Sequence, residues 1–155
     1  MNYIILAVGN SKKTLLRPLI EHFIKLIPRL KTIIEINSKI KDRNLRKKDE
    51  NNQIFNWIKK NASAETKLIF LDKSGMKISS KEFSTLLSNW RDYSISNCIF
   101  VIGGSSGLDN KLFKMSDTVI SFGNNTWPHM LFRVMLLEQL YRADCITKKH
   151  PYHRN

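Results

Sequence analysis

No apolar run in this 155-residue chain comes near the ~18 residues that a membrane-spanning helix requires, which argues against an integral membrane protein. Ile4-Ile5-Leu6-Ala7-Val8 has neither a basic leader nor a cleavage-like sequel, so it reads as a first strand and not as a signal peptide. Cysteine is scarce. Cys98 and Cys145 show no metal-ligand spacing, and Cys98 lies in an apolar run that suits a buried thiol. The expectation is a cytoplasmic protein with no metal. Internal repeats and long low-complexity tracts are missing too. Acidic residues are few, 13 against 26 Lys and Arg, which leaves a net charge of +13 and a pI near 9.9. Such an excess favours a polyanionic partner through attraction and counterion release. Residues 1–60 hold 14 of the cations against 5 acids. Eighteen of the 26 cations are lysine, which a biased genome can scatter without function. The charge ranks nucleic acid above membrane or acidic protein without identifying the target.

A chain of this length is one domain, residues 1–155, able to hide roughly 70% of its unfolded surface. Short apolar runs alternate with helix-like stretches, the pattern of an α/β protein with a largely parallel sheet. Strands are expected at Tyr3–Val8, Thr32–Ile36, Lys67–Asp72, Cys98–Ile102 and Thr118–Phe122. Helices are expected at about Lys12–Ile27, Asp49–Asn61, Ser79–Trp90, Asn110–Met115 and Pro128–Asp144. Ser79 and Glu82 form a capping-box signature, and Ile54, Phe55 and Ile58 make one apolar helix face. Lys39–Lys48 reads as a basic, mobile connection, and Gly75 as the turn after the third strand.

The last helix is apolar almost all round, from Met130 and Leu131 to Leu140 and Tyr141. Such a helix must be covered on all sides, so one side is expected on the sheet and another against a second copy of the chain, giving a homodimer. Beyond it the chain closes His150-Pro151-Tyr152-His153-Arg154-Asn155. Termini normally fray. Hydrogen-bonding side chains crowded at an end suggest that this end docks into a site.

Gly103-Gly104-x-x-Gly107 follows a buried strand, where glycines allow a sharp turn and close approach of a ligand to the main chain. It is neither the dinucleotide fingerprint nor a Gly-Lys-Ser/Thr phosphate loop. Leu71-Asp72, Gly103-Gly104 and Phe122–Trp127 each end a strand, and ligands of open α/β folds bind beyond the carboxyl ends of strands. Small residues and polar backbone beside Leu71 suit a flat, largely neutral ring such as adenine. For Trp127, core packing and ligand contact are equally good readings.

Together with these segments, Ile5-Leu-Ala-Val-Gly9, Leu71-Asp72 followed by Gly75, Ile102–Leu108, Ser121-Phe122, Thr126-x-Pro128-His129, Arg133-Val134, Glu138–Ala143 and the closing His-Pro-Tyr-His-Arg carry a family resemblance. Over essentially its full length the chain resembles the RlmH family, small SPOUT-superfamily methyltransferases that modify a pseudouridine of 23S ribosomal RNA at N3. The resemblance implies an α/β SPOUT-type sheet flanked by helices with a C-terminal trefoil knot, S-adenosylmethionine as methyl donor, and a homodimer acting on assembled ribosomes. Carried over by position, the cofactor contacts are Leu71, Gly103, Phe122, Gly123, Asn124, Asn125, Thr126 and Trp127. Two departures are Met76 between Gly75 and Lys77, and the filling Gly123-Asn124-Asn125. A non-catalytic basic RNA-binding module and a methyltransferase acting on transfer RNA are the alternatives.

The N3–H of a uracil-type ring is mostly protonated at neutral pH, so a base or a stabiliser of the developing anion helps. Histidine suits the first task and arginine the second. The catalytic candidates are His153 and Arg154, with Tyr152 to stack on or hydrogen-bond the base and Arg142 for phosphate or ring charge. Arg142 also has a plainer reading, an i,i+4 pair with Glu138. His129 is expected to be structural, and Arg133 to serve equally as an interface ion pair or a substrate contact. Lys39–Lys48, with Lys148 and Lys149, is the expected RNA-contacting surface.

Overall fold

A computed structural model describes residues 1–12 and 14–153. Five strands, β1 (Asn2–Val8), β2 (Leu30–Ile36), β3 (Thr66–Lys77), β4 (Asn97–Ile102) and β5 (Thr118–Ser121), form one sheet in the order β2-β1-β4-β3-β5. Every neighbouring pair is parallel. Parallel strands need crossovers, and helices supply them: α1 (Arg17–Leu26), α2 (Arg43–Asn61), α3 (Ser80–Asp92), the short α4 (Asn110–Phe113) and, after the sheet, α5 (His129–Thr147).

The central strands are apolar on both faces because both faces are covered. Tyr3, Ile5 and Ala7 of β1, with Cys98, Phe100 and Ile102 of β4, point to a core shared with α1, α3 and α5. The intervening Leu6, Val8, Ile99 and Val101 point to a second core, closed by Ile54 and Ile58 of α2 and Leu112 of α4. The period-2 alternation of a strand thus feeds two cores at once.

Local boundaries follow identifiable groups. Helix α1 starts at Arg17, five residues later than expected, and carries Pro18 in its first turn, where a missing N–H costs nothing. The capping box on α3 is formed in both directions, Ser79 accepting from the Glu82 N–H and Glu82 from that of Ser79. The Lys39–Lys48 segment is not a mobile connection throughout: Asp42 accepts from the Leu45 N–H and starts α2 at Arg43. Nor does Gly75 end its strand. Leu71 and Met76 both pair with Ile120, so β3 makes an excursion and returns to the sheet. A Cβ on Gly75 would lie 2.7 Å from the backbone of Val119 and Ile120, so close backbone approach is what glycine permits here.

Helix α5 is fastened over β1 at both ends by polar groups. Near its start, Arg133 is fully buried, pairs with Glu35 of β2 at 2.6 Å, and donates to the carbonyls of Val8 and Gly9 at 3.4 and 3.0 Å. Burial pushes the Glu35 carboxyl up, but hydrogen bonds from Ser11 and the Arg133 contact outweigh this and hold it below its ordinary range. Near the other end, buried Asp144 accepts from the Tyr3 hydroxyl and meets Arg91 and Arg29 at 3.5 and 3.7 Å. Arg133 is therefore an intramolecular tie and not an interface or substrate group. Among the described residues no helix is long and apolar enough to cross a membrane. Replacing Arg133 with alanine would strand Glu35 and two carbonyls, and is expected to cost about 3–5 kcal/mol of stability, read as a lower urea midpoint with an unchanged m-value.

Candidate functional site

The excursion of β3 after Leu71 and the carboxyl ends of β4 and β5 open into one cleft of about 650 Å³. Leu71, Asp72 and Lys73 form one wall, Ile102 to Gly107 the next, and Ser121 to His129 the third, with Phe132 of α5 behind them. Its size lies in the range of roughly 300–1,000 Å³ usual for small-molecule sites, and its place agrees with the rule that open α/β sheets bind ligands beyond their strand ends.

Each wall is held by particular contacts. Ser121 donates its hydroxyl to the Gly123 carbonyl at 2.8 Å, bending the chain at Gly123, whose φ of +111° lies in the region that favours glycine. Phe122 packs with its ring 5.2 Å from Phe132 and 6.2 Å from Phe83, so it forms a fixed apolar wall. Trp127 stays 37% exposed at the rim and is therefore not a core residue. A Cβ on Gly103 would stand 2.8 Å from Leu108 Cγ, so glycine lets the Leu108 side chain pack against the main chain where the strand meets its loop.

The Gly103–Gly107 loop is braced from behind by α2. Asn51, buried in that helix, accepts from the Asp109 N–H at 2.9 Å and donates to the carbonyls of Lys47 and Gly107. Arg43 donates to Ser106 Oγ at 3.2 Å, and Lys47 pairs with Asp109 at 3.3 Å. The Glu50 carboxylate lies against Gly104, where burial raises its affinity for a proton. Sequence reading missed these braces. The one available signal was an asparagine among Ile54 and Ile58 on the buried side of α2, since a buried amide must find partners.

Of the eight expected cofactor contacts, Leu71, Gly103, Phe122, Gly123, Asn125, Thr126 and Trp127 line the cleft; Asn124 is exposed and outside its lining. The expected catalytic group falls elsewhere. Arg142 donates Nε to Glu138 at 2.9 Å, the i,i+4 pair, which raises the Arg142 pKa further. Tyr152 donates to the same carboxylate at 3.2 Å, packs edge-on against Tyr141 with centroids 4.7 Å apart, and lies under the Arg142 guanidinium at 4.9 Å. His153 follows, its Nδ1 buried without a partner among the described residues. Arg154 lies outside the described residues. Glu138, which holds both Arg142 and Tyr152, is six residues along α5 from the cleft-lining Phe132, about 9 Å at 1.5 Å per residue. Arg142 and Tyr152 are thus held beside Glu138 and Tyr141, and neither they nor His153 line the cleft of their own chain. His129, expected to be structural, lines the cleft instead. Among the described residues no cluster of His, Cys, Asp or Glu could hold a metal ion.

A five-stranded parallel sheet flanked by helices, with a cleft walled by loops beside its strands, is consistent with a methyltransferase fold. The family model described as "Predicted SPOUT methyltransferase" matches residues 1–153, and the chain belongs to this SPOUT methyltransferase family. Among its relatives are proteins named ribosomal RNA large subunit methyltransferase H. The one from Clostridium botulinum strain Hall is 39% identical, covering 99% of this chain and 100% of the relative. The one from Rhodopseudomonas palustris strain BisB18 is 51% identical over 87 residues, 56% of this chain and 54% of the relative.

Asn51→Ala would leave the Asp109 N–H and the Gly107 carbonyl without their partner. It is expected to destabilise the protein by about 1–3 kcal/mol, with amide exchange rising first in residues 103–109 by hydrogen-exchange mass spectrometry.

Proposed function

We propose that this protein transfers a methyl group from S-adenosylmethionine to N3 of a pseudouridine in 23S ribosomal RNA, on assembled ribosomes in the cytoplasm, as a homodimer. The observation that carries the reading is the convergence of Leu71, Gly103 and the 122–127 loop on a single cleft, beside the excursion of β3 and the ends of β4 and β5. The residues fit the cofactor. Leu71, Ile102 and Phe122 offer apolar surface to an adenine ring, and Gly123, with open space where a side chain would stand, leaves its main-chain groups approachable. Asn125, Thr126 and Trp127 close the outer side, with Asn124 beside them. When bound, the sulfonium supplies an activated methyl group. The protein's own task is then to align the acceptor ring and relieve it of its N3 proton.

The names of the relatives support ribosomal RNA as the acceptor, and the net charge of +13 suits a polyanion. Arg43, tied to Ser106, brings the basic start of α2 to the rim of the cleft. Residues 39–48 and exposed Lys148 and Lys149 are the surface proposed to follow the RNA backbone. The homodimer is supported by apolar side chains left at the surface: Leu131, Phe132, Met135 and Tyr141 of α5 are only half-buried, and Leu15, Leu19 and Ile24 near or on α1 are exposed. With Tyr152 folded on α5 and, like His153, outside the cleft lining of its own chain, a cleft completed by the partner's tail is the arrangement proposed to bring Tyr152, His153 and Arg154 to the chemistry. The C-terminal trefoil knot and the single domain over 1–155 are read from the family.

Two experiments test this. Whole ribosomes from cells lacking the protein, incubated with it and isotopically labelled S-adenosylmethionine, are expected to gain one methyl on a 23S pseudouridine by mass spectrometry. Label on transfer RNA alone, or none despite calorimetric cofactor binding, would refute the assignment. Deleting Tyr152–Asn155 is expected to abolish methylation while cofactor affinity by calorimetry stays nearly intact. Normal turnover by the truncated protein removes the tail from the mechanism.

A further inference from the structure

The described residues lining the cleft include one imidazole, and no described residue hydrogen-bonds it. His129 is the first residue of α5, and its side chain lines the cleft between the Trp127 rim and Phe132. Its Nε2 edge rests on the main chain at Gly9, where a Cβ would lie 2.9 Å from Nε2 and 2.7 Å from Met130 Cε. The Gly9 N–H donates to Ile36, and the Gly9 carbonyl, which accepts from Arg133, makes no hydrogen bond to the ring. Among the described residues no other group hydrogen-bonds the ring. A half-buried imidazole held by packing, with its nitrogens unclaimed, is poised for a ligand.

The surroundings favour its neutral form. The positive end of a 19-residue helix disfavours a cation in the first turn. Arg133, one turn further on, adds a buried like charge. Burial first, and Arg133 second, hold the His129 pKa below its ordinary value. The other charged groups facing this region are few. Glu35 stands behind Arg133 and is committed to it. Glu50 lies on the far side of Gly104. Lys73 and Asp72 form the opposite wall. Asp72 is itself held, its Oδ1 accepting from the N–H and hydroxyl of Ser74 at 2.9 and 2.6 Å. Lys73 brings three donors and no acceptor. His129 is thus the group in the cleft wall best able to accept a proton.

We propose that His129 is the catalytic base of the methyl transfer, taking the N3 proton of the acceptor pyrimidine in the cleft of its own chain. This rests on the reading above, and it assigns to α5 a task that sequence reasoning gave to His153. The proton passes from N3 to an imidazole nitrogen. The N–H bonding pair stays on N3 and becomes the pair of the new N–CH3 bond. The pair of the broken C–S bond leaves with sulfur as a neutral thioether, and the imidazolium returns its proton to water. The nearby guanidinium speeds that return by keeping the imidazolium acidic.

The test compares His129→Asn, His129→Gln and His153→Asn with the wild type, on whole ribosomes, across pH. His129→Asn and His129→Gln are expected to bind S-adenosylmethionine as the wild type does by calorimetry, to keep the KM for ribosomes, and to lose about 10²–10³-fold in kcat. They are also expected to lose the acidic limb of the kcat–pH profile, which His153→Asn retains. Independently of turnover, the His129 imidazole signal in the NMR spectrum of the wild-type protein is expected to titrate below the ordinary histidine value. The proposal is overturned if both His129 variants turn over near the wild-type rate, if they fail by losing cofactor affinity, or if the limb disappears in His153→Asn instead. Failure of the wild-type protein itself to bind the cofactor or to methylate ribosomes would count against the function and not against this residue alone.

Discussion

Everything near the cleft depends on a guanidinium with no access to solvent. Arg133 carries a full charge into the interior, where such a group is tolerated only when nearly all its donors are met. Glu35 on β2 and the carbonyls of Val8 and Gly9 at the end of β1 meet four of the requirements at once: charge, direction, and two main-chain acceptors. Because those partners sit at the carboxyl edge of the sheet, the first turns of α5 can stop only there. That position puts His129 and Phe132 in the cleft wall. The Nε of Arg133 remains buried without a partner, so the tie is held by its terminal nitrogens alone.

A second polar fastening, Asp144 with Tyr3, Arg91 and Arg29, holds the other end of the helix over the start of β1. Between the two, Leu136, Leu137 and Leu140 supply non-directional burial. Apolar packing alone would let a helix slide along a sheet; directional groups at both ends set its register. The same division of labour recurs on the opposite face, where Ile54 and Ile58 bury α2 and Asn51 aligns it with the glycine loop. Cleft walls built from loops are thereby tied to rigid elements, which is how a flexible segment keeps a ligand-binding shape.

How legible this was differed from part to part. The alternation of strands and helices could be read because apolar runs flanked by turn residues carry local signals: all five strands and all five helices lie near their expected places. Ser79 and Glu82 announced a helix start through a contact three residues long. Asp42 caps α2 without an acid or amide three residues on, so among the surrounding lysines the start of that helix carries a weaker local signal. The excursion of β3 and the role of Gly75 could not be read, because they depend on where Ile120, some 45 residues away, passes by.

Residue chemistry and local pattern therefore determined the class of fold, the cleft-forming segments and the family, since each rests on short-range periodicity or on motifs a few residues long. Only the tertiary structure decided which of the polar residues face that cleft. Arg142 and Tyr152 are turned toward Glu138 and Tyr141, outside the cleft lining, while His129 lines the cleft. The reason is physical: which way a side chain on an almost uniformly apolar helix points is set by the rotation of that helix, and the rotation is set by Arg133 meeting a carboxylate 98 residues earlier in the chain.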